Sequence, residues 1–149
     1  MASPLLTHQW TTSIKNDTGT AVVPGSTVTI SGDSEFNEKI SLTYGQTAEI
    51  DCGALAFADM VSLFMVCNGN VSVNTNASDG AGGQTILVSK NSAYAWNNTQ
   101  PVANPITANI TKIFVTWDDV NATNADKANA DGSAKAVTFR CGILLSLLA

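Results

Sequence analysis

The chain has 149 residues, of which 44% are apolar and only 13% are charged, and its formal net charge is −5. This length fits one domain that buries a hydrophobic core without disulfides or metal ions. The sequence holds no Lys/Arg cluster to neutralise a phosphate backbone, so we expect no direct binding to nucleic acid. Ser, Thr and Asn supply most of the polar surface, and this favours strands over helices.

The sequence also indicates where the protein is made. No apolar run approaches the length of a bilayer span, and the first residues, Met-Ala-Ser-Pro-Leu-Leu-Thr, lack the basic and apolar regions of a signal peptide. We therefore expect no membrane partner and synthesis in the cytoplasm. Cys52, Cys67 and Cys141 are odd in number and lie among apolar neighbours, which favours buried thiols over a disulfide framework.

The first thirteen residues differ from the rest of the chain. They carry Leu5, Leu6 and Trp10 with little alternation of apolar and polar residues, so we predict an extended N-terminal arm over residues 1–13, followed by a single β-sandwich domain over residues 14–149. Burying a large apolar side chain is worth about 1.5–3 kcal/mol, so an arm that exposes such groups is expected to dock on a partner. Leu5, Leu6 and Trp10 are therefore the predicted partner-binding residues.

Beyond this arm, apolar and polar residues alternate in the period of a half-buried strand. The alternation predicts strands at Thr27–Ile30, Lys39–Tyr44, Thr47–Cys52, Met60–Cys67, Val71–Asn74, Thr85–Ser89, Ala93–Trp96, Lys112–Trp117 and Val137–Leu147. Met60–Cys67 is almost wholly apolar, which indicates a strand covered on both faces, although a short buried helix has the same pattern. Residues 97–109 are predicted to be an extended connection, and residues 118–133 a surface loop.

The spacing of these strands indicates the fold class. Turn residues separate nearly every pair, and the connections are too short for crossovers between parallel strands. The sequence therefore predicts an all-β protein, an antiparallel β-sandwich for which a jelly roll is one arrangement. In the last strand Leu144 and Leu148 break the polar face, so we expect this strand to be central or to contact a neighbouring subunit.

Few residues offer chemistry. The one histidine, His8, falls in the predicted arm, so no Ser/His/Asp catalytic set is expected. General acid/base catalysis would depend on carboxylates alone. Asp33, Glu35 and Glu38 are close in sequence, but a solvated turn explains them better. We predict a protein that is not an enzyme, with no catalytic or cofactor-binding residues and no cofactor.

Metal binding receives little support. The three cysteines and His8 make a formal Cys₃His set, but structural zinc sites bring their ligands in close pairs that are missing here. The aspartates between Asp118 and Asp131 offer oxygen ligands, yet their spacing does not match a calcium-binding EF-hand loop. Buried thiols and an acidic surface loop are the simpler interpretations, and we predict no metal site.

The stretch from about Met60 to Leu145 resembles a known family. After the apolar strand it carries, in order, Val71–Asn76, Ile86–Lys90, Ala95-Trp96, Asn104-Pro105-Ile106, Ile110–Thr116 and a final strand at Ala136–Leu145. These strand and turn signatures are similar to those of the small β-sandwich head decoration, or cement, proteins of tailed bacteriophages. The resemblance covers a little over half the chain, and residues 118–133 form an insertion relative to the family pattern.

The resemblance implies a structural protein of the virion. Such a decoration protein would lie on the capsid surface, bind the major capsid protein and copies of itself as a homo-oligomer, and stabilise the assembled shell. An alternative is a phage tail or receptor-binding module that recognises cell-surface glycan, with Trp96, Trp117 or Tyr94 stacking on sugar rings. Core packing is the commoner role of such aromatic side chains.

Overall fold

The computed structural model describes residues 6–15, 21–81, 83–119 and 121–147, and the side chains of residues 10–15 and 21–26 lie outside the description. Its strands are β1 (Leu6–Lys15), β2 (Ala21–Gly32), β3 (Ser34–Thr43), β4 (Thr47–Leu55), β5 (Met60–Cys67), β6 (Val71–Thr75), β7 (Thr85–Val88), β8 (Tyr94–Asn97), β9 (Ile110–Thr116) and β10 (Ala136–Leu145). A 3-10 turn spans Phe57–Asp59, and a short α-helix, α1, spans Asn124–Lys127. None of the helices in these ranges has the length and apolar character needed to cross a bilayer.

Strands β3 to β10 form two four-stranded antiparallel sheets. The first sheet has the order β3-β10-β5-β8, and the second sheet has the order β4-β9-β6-β7. The pairs β3–β10, β4–β9, β5–β8 and β6–β7 nest one inside the next, as in a long hairpin that has been rolled up. This is the jelly-roll arrangement of a β-sandwich, and the predicted all-β sandwich is confirmed.

The two sheets enclose one apolar core. In β10, Phe139, Cys141 and Ile143 point into this core and are almost fully buried. Leu144 lies on the opposite face of the same strand and is also fully buried, because the N-terminal strands cover it. β10 lies between β3 and β5, so of the two expected settings, a central strand or a contact with a neighbouring subunit, the structure has the first.

Strands β1 and β2 form a separate two-stranded antiparallel ribbon, called here the N-terminal ribbon. Its register runs from Leu6 opposite Gly32 to Lys15 opposite Ala21, with shifts in the region of Pro24, a residue that cannot donate to the hydrogen-bond ladder. Most of the predicted arm therefore lies in a strand, and the predicted boundary between residues 13 and 14 falls inside β1. The ribbon contacts β5 and β10 of the first sheet.

The two predicted connections have little regular structure. Residues 98–109 join β8 to β9 without a strand or helix. Between β9 and β10, the single turn of α1 begins at a capping box, in which Thr123 and Asp126 exchange hydrogen bonds between side chain and backbone. The described residues from 118 to 133 are all exposed or half-buried, as expected of a surface loop.

Candidate functional site

The predicted partner-binding residues belong to the N-terminal ribbon or precede it. Leu5 lies outside the described residues. Leu6 begins β1 opposite Gly32 and is half-buried. Trp10 lies in the middle of β1 opposite Val28, and its side chain lies outside the description. Docking through these three residues stays a prediction.

A close contact between backbones fixes the ribbon on the sandwich. A Cβ atom at Gly32 would lie 2.4 Å from the carbonyl oxygen of Leu145 and 2.7 Å from Cγ of Leu144, so only glycine fits where β2 passes β10. The N–H of Asp33 donates to the same Leu145 oxygen at 3.0 Å. The end of β2 is therefore held against the end of β10.

His8 makes the second connection between the ribbon and the first sheet. Its Nδ1 lies 2.8 Å from Oγ of Ser62, and its Nε2 lies 3.0 Å from Oε1 of Glu35. A carboxylate only accepts hydrogen bonds, so Nε2 carries a proton and donates to Glu35; in the neutral ring Nδ1 then accepts from the Ser62 hydroxyl. The ring lies beside Gly142, where a Cβ atom would be 3.6 Å from Cε1.

These contacts border a concavity between the ribbon and the first sheet. It has a volume of about 330 Å³, and its lining includes Thr7, His8, Glu35, Phe64 and Arg140. His8 keeps 13% of its side chain exposed and Glu35 keeps 29%. Solvent therefore reaches the carboxylate more readily than the ring.

A serine, a histidine and a carboxylate in one hydrogen-bonded row are the groups of a nucleophilic catalytic set. No such set was expected from the sequence, because His8 falls in the predicted arm, but the structure brings the three side chains together. A nucleophile must reach a substrate, whereas Ser62 is fully buried and its hydroxyl is directed at the His8 ring. The row joins β1 to β5 and β3, and it fits a structural connection better than a reaction centre.

The acidic residues near the start of β3 do not converge. Glu35 lies on the outward face with His8, whereas Glu38 is an odd number of residues away and falls on the other face of the strand. Asp33 precedes the strand, and its Oδ1 accepts from the N–H of Leu147 at 2.8 Å. A solvated turn was the expected setting, and for Glu35 and Glu38 the setting is instead a strand.

The cysteines lie in the core, as predicted. Cys52, Cys67 and Cys141 are free and buried, whereas His8 lies on the outward face of the first sheet. Burial raises the pKa of all three thiols, and that of Cys52 rises to about 12. Among the residues that the structure describes, no group of three His, Cys, Asp or Glu side chains is placed to hold a metal ion.

The aspartates of the β9–β10 loop accept hydrogen bonds from their own neighbourhood. Asp119 accepts from Nδ2 of Asn70 at 2.6 Å and from the N–H of Asn121 at 2.9 Å. Hydrogen bonds from Thr123 lower the pKa of Asp126, and hydrogen bonds from Ser133 lower the pKa of Asp131. These carboxylates therefore cap turns of the loop.

The aromatic side chains proposed for glycan stacking are covered. Trp96 is 7% exposed and Trp117 is 3% exposed, and Tyr94 is half-buried. The indole N–H of Trp96 donates to the carbonyl of Val102 at 2.9 Å. Tyr44 is more open and contacts Trp117 edge to face, with 5.7 Å between ring centroids. Core packing is thus the role of both tryptophans.

Comparison with known proteins gives no family assignment. No protein-family profile matches the chain, and no curated protein matches it. Among solved structures the chain is similar to a de novo designed double-stranded beta-helix determined by solution NMR. The TM-score is 0.36 at 10% identity, and the match covers 72% of this chain and 97% of that one. A similarity this distant has no bearing on what the chain does.

Proposed function

We propose that this chain is a structural accessory protein that binds and stabilises a viral capsid, attaching through its N-terminal ribbon. The proposal places the protein on the virion surface, in contact with the major capsid protein and with copies of itself. It draws on the sequence resemblance of Met60–Leu145 to decoration proteins and on one feature of the ribbon.

That feature is an apolar face of the ribbon that continues beyond the part covered by the sandwich. Val28 and Ile30 lie on the same face of β2, because side chains two residues apart on a strand point to the same side. Ile30 is only 5% exposed, whereas Val28 is 38% exposed. The register partner of Val28 is Trp10, one of the predicted docking residues. A partner that covers this continuation removes apolar area from water, at about 25 cal/mol per Å².

The sandwich is suited to present such a face. Its interior is filled by apolar side chains from both sheets, and the ribbon is held by His8 and by the close packing at Gly32. Binding through an element that is already ordered loses less conformational entropy than binding through a free arm. The ribbon can therefore serve as a preformed docking element.

The first test is association with particles. Virions purified on a density gradient from the source of the gene should contain the protein in a fixed ratio to the major capsid protein, as measured by mass spectrometry. Electron microscopy with an antibody should place it on the head. Recovery of the protein only in the soluble lysate would overturn the proposal.

The second test locates the docking face. Val28→Ser should weaken binding to undecorated particles about tenfold, because a contact of this size is worth roughly 1.4 kcal/mol. Leu87→Ser is the matched control, since Leu87 is 73% exposed on β7 of the second sheet. If both variants bind particles equally well, the ribbon is not part of the interface. Binding of the wild type to a glycan array, with no binding to particles, would favour the receptor-binding alternative.

A further inference from the structure

Two cations lie directly opposite each other on the outward face of the first sheet. Arg140 of β10 is the register partner of Lys39 of β3, and both residues are exposed. Like charges in this position repel each other and destabilise the strand pair. The chain has only 7 Lys and Arg residues against 12 Asp and Glu residues, so its composition does not favour such a pairing by chance.

Within the described residues, neither cation forms an ion pair. The pairs there are Lys90 with Asp126, Lys112 with Glu49, and His8 with Glu35. Glu35 shares the outward face of β3 with Lys39 but is four residues away, about 13 Å along a strand. Glu35 also lines the ribbon concavity with Arg140, but its ion pair is with His8. Within the described chain, the repulsion between Lys39 and Arg140 is therefore not offset by an ion pair to either cation.

The two cations line one concavity together with neutral donors. Its volume is about 290 Å³, and Asn68, Asn91 and Thr138 contribute to its wall. Oδ1 of Asn68 already accepts from the N–H of Thr138 at 2.7 Å, so Asn68 has its NH₂ group left to offer. The rest of the lining comes from Val66 and Cys67, and none of the described lining residues is acidic.

We propose that this concavity is a binding site for a carboxylate side chain presented by a partner protein. The guanidinium of Arg140 matches both oxygens of a carboxylate in a fork geometry, and the ammonium of Lys39 adds a second positive charge. A net charge of −5 repels nucleic acid and other polyanions at long range, whereas a single carboxylate is attracted by the local pair. None of the lining residues belongs to the ribbon, so the site does not depend on the capsid proposal.

A titration followed by NMR tests the site directly. The probe is N-acetyl-glutamate N-methylamide, which carries one side-chain carboxylate, added at constant ionic strength. It should cause saturable shifts at Arg140 Nε–H and at the amides of Thr138 and Asn91. The uncharged N-acetyl-glutamine N-methylamide should cause none. Lys39→Met and Arg140→Met should each abolish saturation, whereas Lys112→Met should not, because Lys112 is paired with Glu49 on the second sheet.

Thermal unfolding gives an independent readout and shows that the variants fold. In low-salt buffer free of multivalent anions, Lys39→Met and Arg140→Met should melt at or above the wild-type temperature, because each removes the repulsion. The glutamate probe should raise the wild-type midpoint and leave both variants unchanged.

Several outcomes would overturn the site. These are the absence of saturable shifts, equal shifts with the glutamine probe, saturation retained in both methionine variants, or melting of both variants well below the wild type. If sulfate or phosphate saturates the same residues at lower concentration than the carboxylate, the ligand is an inorganic or ester oxyanion and the proposed protein carboxylate is wrong.

Discussion

Gly32 lies where the ribbon packs tightly against the end of β10. The obstacle to a side chain there is the Leu145 carbonyl, 2.4 Å from an ideal Cβ, together with the fully buried Leu144. Both belong to the central strand of the first sheet, which has no room to move aside. The requirement for glycine is thus one of space between two backbones.

Gly32→Ala should consequently destabilise the protein by about 1–3 kcal/mol, the usual cost of forcing extra atoms into a packed contact. Urea unfolding followed by circular dichroism measures this as a lower midpoint. Ser31→Ala, at the exposed neighbouring position, is the control and should change stability by less than about 0.5 kcal/mol. If the two variants unfold alike, the ribbon does not rest on β10 as described.

The cysteine side chains make a second prediction at the residue scale. Burial is the largest cause of the raised pKa of Cys52, Cys67 and Cys141, and the nearby Asp51 carboxylate adds to it for Cys52. Only the thiolate reacts readily with disulfide reagents, so at pH 8 the native protein should be labelled very slowly. All three thiols should react once the chain is unfolded in guanidinium. Leu87→Cys supplies an exposed thiol as a positive control, and rapid labelling of the unmodified native protein would contradict the burial.

At the scale of elements, the period-two pattern located the strands of the sandwich but missed β1. The odd positions of β1, such as Thr7, Gln9 and Thr11, are all polar, as expected for the exposed face of a strand. The even positions should then all be apolar, but His8 and Thr12 lie among them and interrupt the alternation. His8 faces the sheet because Ser62 and Glu35 form hydrogen bonds with its two ring nitrogens. A pattern based on apolar residues treats histidine as polar, and therefore as outward-facing, even where its nitrogens are hydrogen-bonded.

The connection made by His8 was beyond prediction from the sequence for a related reason. Its two partners lie 54 and 27 residues away in the chain. Their meeting depends on the ribbon folding back over the first sheet, and no local pattern encodes that contact. Burial of the cysteines was predictable because it depends only on their apolar neighbours within each strand.

The β9–β10 loop yields a prediction about stability. Its residues 118–133 bury no described side chain, and among their contacts with the sandwich Nζ of Lys127 lies 4.0 Å from the centre of the Tyr44 ring and Asp126 pairs with Lys90. Replacing Asn124–Asp131 by two glycines should remove the cation–π contact, worth about 0.5–1 kcal/mol, and the exposed ion pair, worth about 0–1 kcal/mol, and leave the fold intact. Thermal melts followed by circular dichroism measure the change.

Phe139→Ala provides the contrast for the loop variant. Phe139 is fully buried in the central strand β10, so its truncation should cost about 3–5 kcal/mol. A loop variant that loses as much stability as Phe139→Ala would show that the loop belongs to the core structure.

At the scale of the whole molecule, the order of strands in each sheet is the least predictable feature. Alternation reports that a strand is half-buried, but it does not report which strand lies next to it. β10 follows β9 in the chain, yet it pairs with β3 and β5 in the other sheet. A simple meander and a rolled hairpin have the same period and the same turn residues, so the sequence left the jelly roll open.

The central place of β10 has a consequence for biosynthesis. β3 and β5 are translated long before β10, yet they do not pair with each other and meet only through it. While β10 is still inside the ribosome, both strands present unpaired edges to solvent, where they can pair with strands of other chains. The first sheet is completed only after β10 emerges. The surface on which the ribbon packs therefore forms only when this last strand has been synthesised.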